Sequence, residues 1–449
     1  MKTPICDFVK NYISTNPYRL HVPGHKGVGF LGVENYDITE IDGADDLYVP
    51  TGIIKESENN ASSLFNCPTF YTTEGSSHSI RAIIYLTTLY AKKFNKSNLI
   101  LASRNVHKSF LSVCSLLDLK VEFIRGNNEN SYLSSVITPN ILDNYLNNLK
   151  ILPCAIYITS PDYLGNITDI KALKKVCEKY GVLLLVDCAH GAYLKFLDNS
   201  LFPIDLGADM CCSSAHKTLP VLTGGAYLHL SNSIYEILKD EVKTSLNIFG
   251  SSSPSYLTLQ SLDYANHLLE TTFKNQLHFT VKEILKLKKS LDLIGIESKI
   301  NEPLKLTISP KSYGYNGEDF ANYLYKNNII PEFYDSDFTV LMFSVNTPLS
   351  VYNYLISTLS SLKRKDTITL KPPKISNYSS VLSFKRVLYN ETEIIDVETS
   401  ENRIFADINI HCPPAVPIII IGEKITKETI DAFKYYSIEK VKVIKNKEY

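Results

Sequence analysis

The chain carries almost no net charge. Its 449 residues hold 46 basic and 47 acidic side chains, a balance of −1. Without a strong global field, neither nucleic acid nor an anionic membrane is expected as the main partner. Cysteine pairs of the CxxC kind are also missing. The nine cysteines are an odd number scattered along the chain, no CxxC occurs, and Cys211-Cys212 is the one close pair. This speaks against a disulfide framework or a zinc site and for a reducing compartment. No long apolar run is present either. A spanning helix needs about 20 apolar residues. The longest runs, 182–186 and 416–421, are far shorter and read as buried strands. Near the start, Asp7 interrupts what a signal peptide would need as an unbroken apolar stretch. A cytoplasmic protein of two or three domains is expected, with no internal repeat or low-complexity tract.

What is present organises itself along the chain. Residues 1–65 show little periodicity and read as an irregular N-terminal arm, with five acidic residues between Asp37 and Asp46. From 66 to 265, apolar runs of strand length (98–102, 121–124, 155–159, 182–186, 210–213, 226–230) alternate with helical spacing (79–94, 107–117, 142–149, 169–180). Such alternation predicts a mostly parallel sheet with helices on both faces. A long helical stretch over 254–292, with a break near Thr271, leads into a small α/β domain at 266–365. Residues 366–449 form a C-terminal α/β domain, with a strand expected at 417–421.

Three polar clusters stand where apolar strands end, the edge at which open parallel sheets bind ligands. The first is Asp187, directly after five apolar residues, with His190 three positions on. Taken alone, Asp187 is a turn or cap residue. As a buried carboxylate it must meet a cation. The second is Ser213, Ser214, His216, Lys217 and Thr218, ahead of the Gly224-Gly225 turn. A lysine lifted out of water becomes a usable amine nucleophile. The third is Gly75-Ser76-Ser77 at a helix start. Free N–H groups and the helix dipole favour an anion there, although simple capping also accounts for it.

In order along the chain stand HVPGHKG, TEIDGADDL, GSS before a helix, RNVHKS, DCAHG, SAHKTLPVLTGGAYLH, SSSPSYLTLQSLD and PPAVPIIIIGEKIT. This series resembles the Orn/Lys/Arg decarboxylase family, in its short form without the N-terminal wing domain. The resemblance is strong over residues 18–265 and resumes near the C-terminus. It implies an aspartate-aminotransferase-like (fold type I) large domain with a mostly parallel seven-stranded sheet, plus smaller C-terminal α/β domains.

The resemblance also implies pyridoxal 5'-phosphate as cofactor and a basic amino acid (arginine, lysine or ornithine) as the small-molecule substrate of a decarboxylase. Lys217 is then the Schiff-base lysine and Asp187 the partner of the pyridine nitrogen. Ala189 and His107 lie against the two ring faces, and His190 lies near the ring oxygen. Ser76, Ser77, Ser214 and His216 hold the phosphate, and His216 or Lys217 returns a proton to Cα. The segment around Ser252 reaches the phosphate of the partner subunit in a homodimer. Pro23–Lys26 and Asp45-Asp46 lie near the entrance, their acids suiting a cation, and Glu423 contributes to reading its distal group. Four places depart from the family pattern: His78, expected to touch the phosphate or reshape the wall; Cys188; the pair Gly224-Gly225; and Cys412, in a segment lacking the usual aromatic and glycine. The rival readings are an aminotransferase or lyase on the same fold, with Arg364, Arg386 or Arg403 as carboxylate clamp, and a cofactor-binding protein with little catalysis.

Overall fold

The computed structural model describes residues 1–126, 131–375, 378–408 and 415–445. Its centre is one seven-stranded sheet built from β1 (Thr69–Thr72), β2 (Leu99–Ser103), β3 (Lys120–Ile124), β4 (Ala155–Thr159), β5 (Leu183–Asp187), β6 (Met210–Ser213) and β7 (Ala226–Leu230). The order across the sheet is β1-β7-β6-β5-β4-β2-β3. β7 runs antiparallel to β1 and β6. The pairs β6–β5, β5–β4, β4–β2 and β2–β3 are parallel. Every residue of β2, β5, β6 and β7 is buried. Continuous apolar runs such as Leu183–Val186 form such strands because helices cover both faces.

The helices follow local signals. Asp169 accepts from Ala172 N and opens Ile170–Tyr180, which Gly181 closes in a left-handed conformation. Ser231 caps Asn232–Phe249, whose Ile234, Leu238, Val242 and Leu246 form one buried stripe. The expected break near Thr271 is present: one helix ends at Thr271 and the next begins at Phe273. A second sheet holds β8 (Ser298–Lys299), β9 (Lys305–Ile308), β10 (Phe333–Tyr334) and β11 (Thr339–Met342), in the order β10-β11-β9-β8. In the C-terminal part, β12 (Thr392–Asp396) pairs antiparallel with β13 (Lys440–Ile444). Among the described residues, no helix is long and apolar enough to cross a membrane.

Three local expectations are corrected. Residues 1–65 are not irregular throughout, because Pro4–Ser14 and Ile53–Phe65 are helices. The first is tied down at Ile5 N and Cys6 N, both donating to Asp263 at 3.0 Å. Residues 417–421 are not a strand. Pro417 has no N–H to give a ladder, and the Ile420 N–H goes to the Glu423 carboxylate at 2.8 Å, so the buried isoleucines fold as a turn. The helical stretch expected from 254 starts instead at Tyr256, after the cap Ser255, leaving Pro254 just outside it.

Candidate active site

Parallel strands deliver their carboxyl ends to one edge of the sheet. β5 ends at Asp187, β6 leads into Ser214–Lys217, β2 leads to His107, and β1 leads to Gly75. β7 runs the other way, so its amino end, Gly224-Gly225, reaches the same edge. Gly75 N donates to Gly224 O at 2.7 Å, fixing the helix start. A Cβ on Gly224 would stand 2.5 Å from the carbonyl oxygen of Thr73, so only glycine fits there.

Asp187 is buried and accepts three bonds. Tyr157 OH donates at 3.2 Å, Ala189 N at 3.1 Å and Cys212 Sγ at 3.4 Å. Lys217 Nζ lies 3.1 Å from His190 Nε2. Burial first, then the charge of Lys217, holds the His190 imidazole well below its ordinary range, so it stays neutral. With Nε2 accepting, the ring proton is on Nδ1, which is buried without a protein partner. His107 caps the helix Lys108–Leu116 through Nδ1, which accepts from Ser109 N at 3.2 Å. Burial lowers His107 to about 4, against the opposing pull of Asp187.

Two buried hydroxyls meet at the start of the helix Ser76–Lys93. Ser214 Oγ donates to Ser76 Oγ at 2.8 Å. Gly75, at the helix start, offers no side-chain cap to Ser76–Lys93, and half-buried Ser77 follows in its first turn. His216 is held by Gly225 O at 3.0 Å, and burial lowers its pKa. The structure therefore brings Asp187, Ala189, His190, Lys217, His107, Ser76, Ser77, Ser214 and His216 to one edge. Ser252 is not joined to them. It is exposed, and its neighbour Ser251 donates its N–H to Glu74 at 2.7 Å.

Several expected contacts are replaced by others. His78 is not joined to the Ser76–Ser214 pair: its Nε2 bonds the carbonyl of Leu246 at 2.7 Å, and the residue is 1% exposed. Two residues on from Ser76 is about 200° around a helix, which turns it away. Asp45 is not an open acid. It accepts from Thr51, Gly52, Ile54 and Lys55 N–H groups, closing the start of Ile53–Phe65, and Asp46 holds Tyr48 N. Glu423 is committed to Arg104, with bonds of 2.8 and 2.9 Å. Arg403 pairs with Glu393 and Ile444 O, not with the site. Cys412 lies outside the described residues.

Two side chains escaped the sequence reading. Tyr163, in the loop after β4, packs its ring edge-to-face on His190 at 5.1 Å. Its OH donates to Glu332 Oε1 at 2.9 Å, and Glu332 acts electrostatically on His216. The polar break after the run 155–159 could have flagged Tyr163. Glu332 sits before a two-residue strand, with no local signature.

Residues 3–301 match the major domain of Orn/Lys/Arg decarboxylases, and residues 368–443 match their C-terminal domain. The chain belongs to the Orn/Lys/Arg decarboxylase family. The uncharacterized protein YaaO of Bacillus subtilis is 30% identical over 96% of this chain and 93% of its own length. The arginine decarboxylase of the same organism is 28% identical, over 96% and 92% respectively. Among solved structures, the Francisella novicida lysine decarboxylase LdcF superposes with a TM-score of 0.78 at 15% identity, covering 98% of this chain and 81% of its own. The fold is the aspartate-aminotransferase-like fold type I.

Proposed function

We propose that this member of the family decarboxylates a basic amino acid (arginine, lysine or ornithine) to the corresponding amine, with pyridoxal 5'-phosphate bound through Lys217. The carrying observation is the convergence of Lys217, Asp187 and His107 at the carboxyl edge of the sheet. The residues fit the cofactor. A helix start without a side-chain cap meets the Ser76–Ser214 hydroxyl pair, and the buried Nδ1 of His190 lacks a partner. Ser76, Ser77, Ser214 and His216 would hold the phosphate. Asp187 would face the ring nitrogen, with Ala189 and His107 on the two ring faces and His190 near the ring oxygen. When bound, the pyridinium supplies an electron sink for the breaking Cα–carboxylate bond.

The protein's own groups do the rest. Asp187 supplies fixed negative charge in a buried setting, where electrostatic stabilisation is strong. Tyr157, Cys212 and the Ala189 N–H hold that carboxylate in one orientation. Neutral His190 accepts from Lys217 and keeps its amine directed. His216 or Lys217 then delivers a proton to Cα. A basic substrate also needs an anion at its far end, and Glu332, exposed and linked through Tyr163 to His190, supplies one.

A second copy of the chain completes the site in this reading. Tyr18, Leu20 and Phe30 of the arm are 97%, 95% and 95% exposed in the single chain, apolar area that a lone soluble protein rarely leaves bare. The Ser252 segment would reach the partner's phosphate.

Product analysis tests the reaction. The protein, saturated with pyridoxal phosphate, is given ornithine, lysine and arginine separately, and mass spectrometry looks for putrescine, cadaverine and agmatine. One amine is expected, and Lys217→Ala should abolish both it and covalent cofactor attachment. No amine from any of the three, with cofactor still attached, would sink the assignment.

A further inference from the structure

The segment that carries His107 is gripped from outside its own domain. Arg104, immediately after β2, presents its guanidinium fork to Glu423 of the C-terminal domain at 2.8 and 2.9 Å. The face of the guanidinium lies on Tyr378, 3.4 Å from the ring centroid. Glu423 is 4% exposed, and its Oε2 also accepts from Ile420 N at 2.8 Å. Just past His107, the Lys108 N–H donates to Ala415 O at 3.1 Å, a second bond into the C-terminal domain. Between these anchors Asn105 and Val106 are buried, and Thr159 Oγ1 ties Asn105 O to β4 at 3.1 Å. The span 104–108 therefore has both ends fixed by a domain that contributes none of the other residues brought to the sheet edge.

We propose that Glu423 is a positioning residue: through Arg104 it sets where His107 stands over the cofactor, and it does not hold the basic end of the substrate. The chemistry supports this division. Both carboxylate oxygens are already engaged, one of them twice. A substrate cation on Glu423 would leave a mostly buried guanidinium without its counter-charge, an arrangement that proteins avoid. A bidentate fork also fixes an angle as well as a distance, which a point charge does not. The inference rests on the proposed role of His107 at the cofactor ring.

The test compares Glu423→Gln with Arg104→Lys, which keeps the positive charge and loses the fork. Three quantities are read in each: the dissociation constant for pyridoxal phosphate without substrate, the His107 titration in the apoprotein by NMR, and kcat and KM for arginine, lysine and ornithine. In the unaltered protein burial holds His107 down to about 4, with Asp187 pulling it up and Lys217, Lys108 and Arg81 pushing it down. Both variants are expected to weaken cofactor binding about tenfold. Both should move the His107 titration upward toward the ordinary value of about 6.5. kcat should fall by the same factor on every substrate that turns over. The proposal is overturned if cofactor affinity and the His107 titration stay unchanged while KM rises for the preferred basic substrate, for then Glu423 reads the substrate. It is equally overturned if only thermal stability falls. Should none of the three amino acids be turned over, the decarboxylase reading fails, yet the cofactor and NMR readouts still decide this one. If Glu423→Gln does not fold, Arg104→Lys carries the test alone.

Discussion

Tyr157 and Asp187 lie on adjacent parallel strands, and the phenol donates to the buried carboxylate at 3.2 Å. Burial, then the charge of Asp187, pushes the Tyr157 pKa well up, so it remains a donor at every working pH. Asp187→Asn should lower kcat by roughly 100-fold or more, the scale for losing a preorganised electrostatic group of about 3 kcal/mol. Tyr157→Phe should cost less, about tenfold, because Ala189 N and Cys212 still orient the acid. Steady-state kinetics on the two variants checks the ranking. Equal losses would mean that the tyrosine does more than orient.

Glu332 should govern affinity for a cationic side chain. Glu332→Gln is expected to raise KM for the preferred basic amino acid about tenfold, with kcat changed by less than about threefold. Tyr163→Phe should produce a smaller shift in the same direction, since the carboxylate keeps its charge but loses the phenol that orients it. An unchanged KM would remove Glu332 from substrate binding.

Two buried groups predict opposite pH slopes of stability. His229, fully buried among Phe65, Phe202 and Tyr227, is lowered to about 3 by desolvation. Its folded pKa lies below its unfolded one, so the stability it contributes is full above about 6.5 and is lost as pH falls toward 3. Asp263 is raised to about 6, again chiefly by burial. Its contribution is full below the unfolded value of 3.8 and is lost as pH rises to 6. Urea unfolding between pH 4 and pH 7 checks both. Relative to His229→Leu, the unaltered protein should lose stability on acidification. Relative to Asp263→Asn, it should gain. Each difference should change by at most about 1.4 kcal/mol per pH unit.

The arm predicts assembly. The unaltered chain should sediment at twice its 50.6 kDa mass. Leu20→Asp with Phe30→Asp should shift it to the monomer and weaken cofactor retention. A monomeric unaltered protein would overturn the shared-site reading.

The large sheet was legible because its strands are uninterrupted apolar runs: Ala155–Thr159, Met210–Ser213 and Ala226–Leu230 match their expected limits. The strand-end polar residues were legible for the same reason, since Asp187 and Lys217 break the apolar pattern where a parallel sheet exposes its working edge. β1 was missed because four residues, TFYT, carry too little pattern. The helix Asn232–Phe249 has a clear buried stripe and a serine cap, and went unread although its signal is local. Other features depend on pairs far apart in the chain. Arg104 and Glu423 are 319 positions apart, and Tyr163 and Glu332 are 169 apart. No spacing rule reaches that far. Asp45 was misread because an acid satisfied by five backbone N–H groups looks, in sequence, like any exposed one.

The reversed direction of β7 bears on how this gene product can vary. Because β6 and β7 pair antiparallel, the link between Ser213 and Ala226 leaves the sheet and returns to it at the same edge. Its two feet are laced together, and Lys217 rides on an arch of set span. Adding or deleting one residue between Ser213 and Lys217 would slide the lysine relative to Asp187. Diversity in this arch should therefore accumulate as substitutions at constant length, whereas loops on the far edge of the sheet are free to grow.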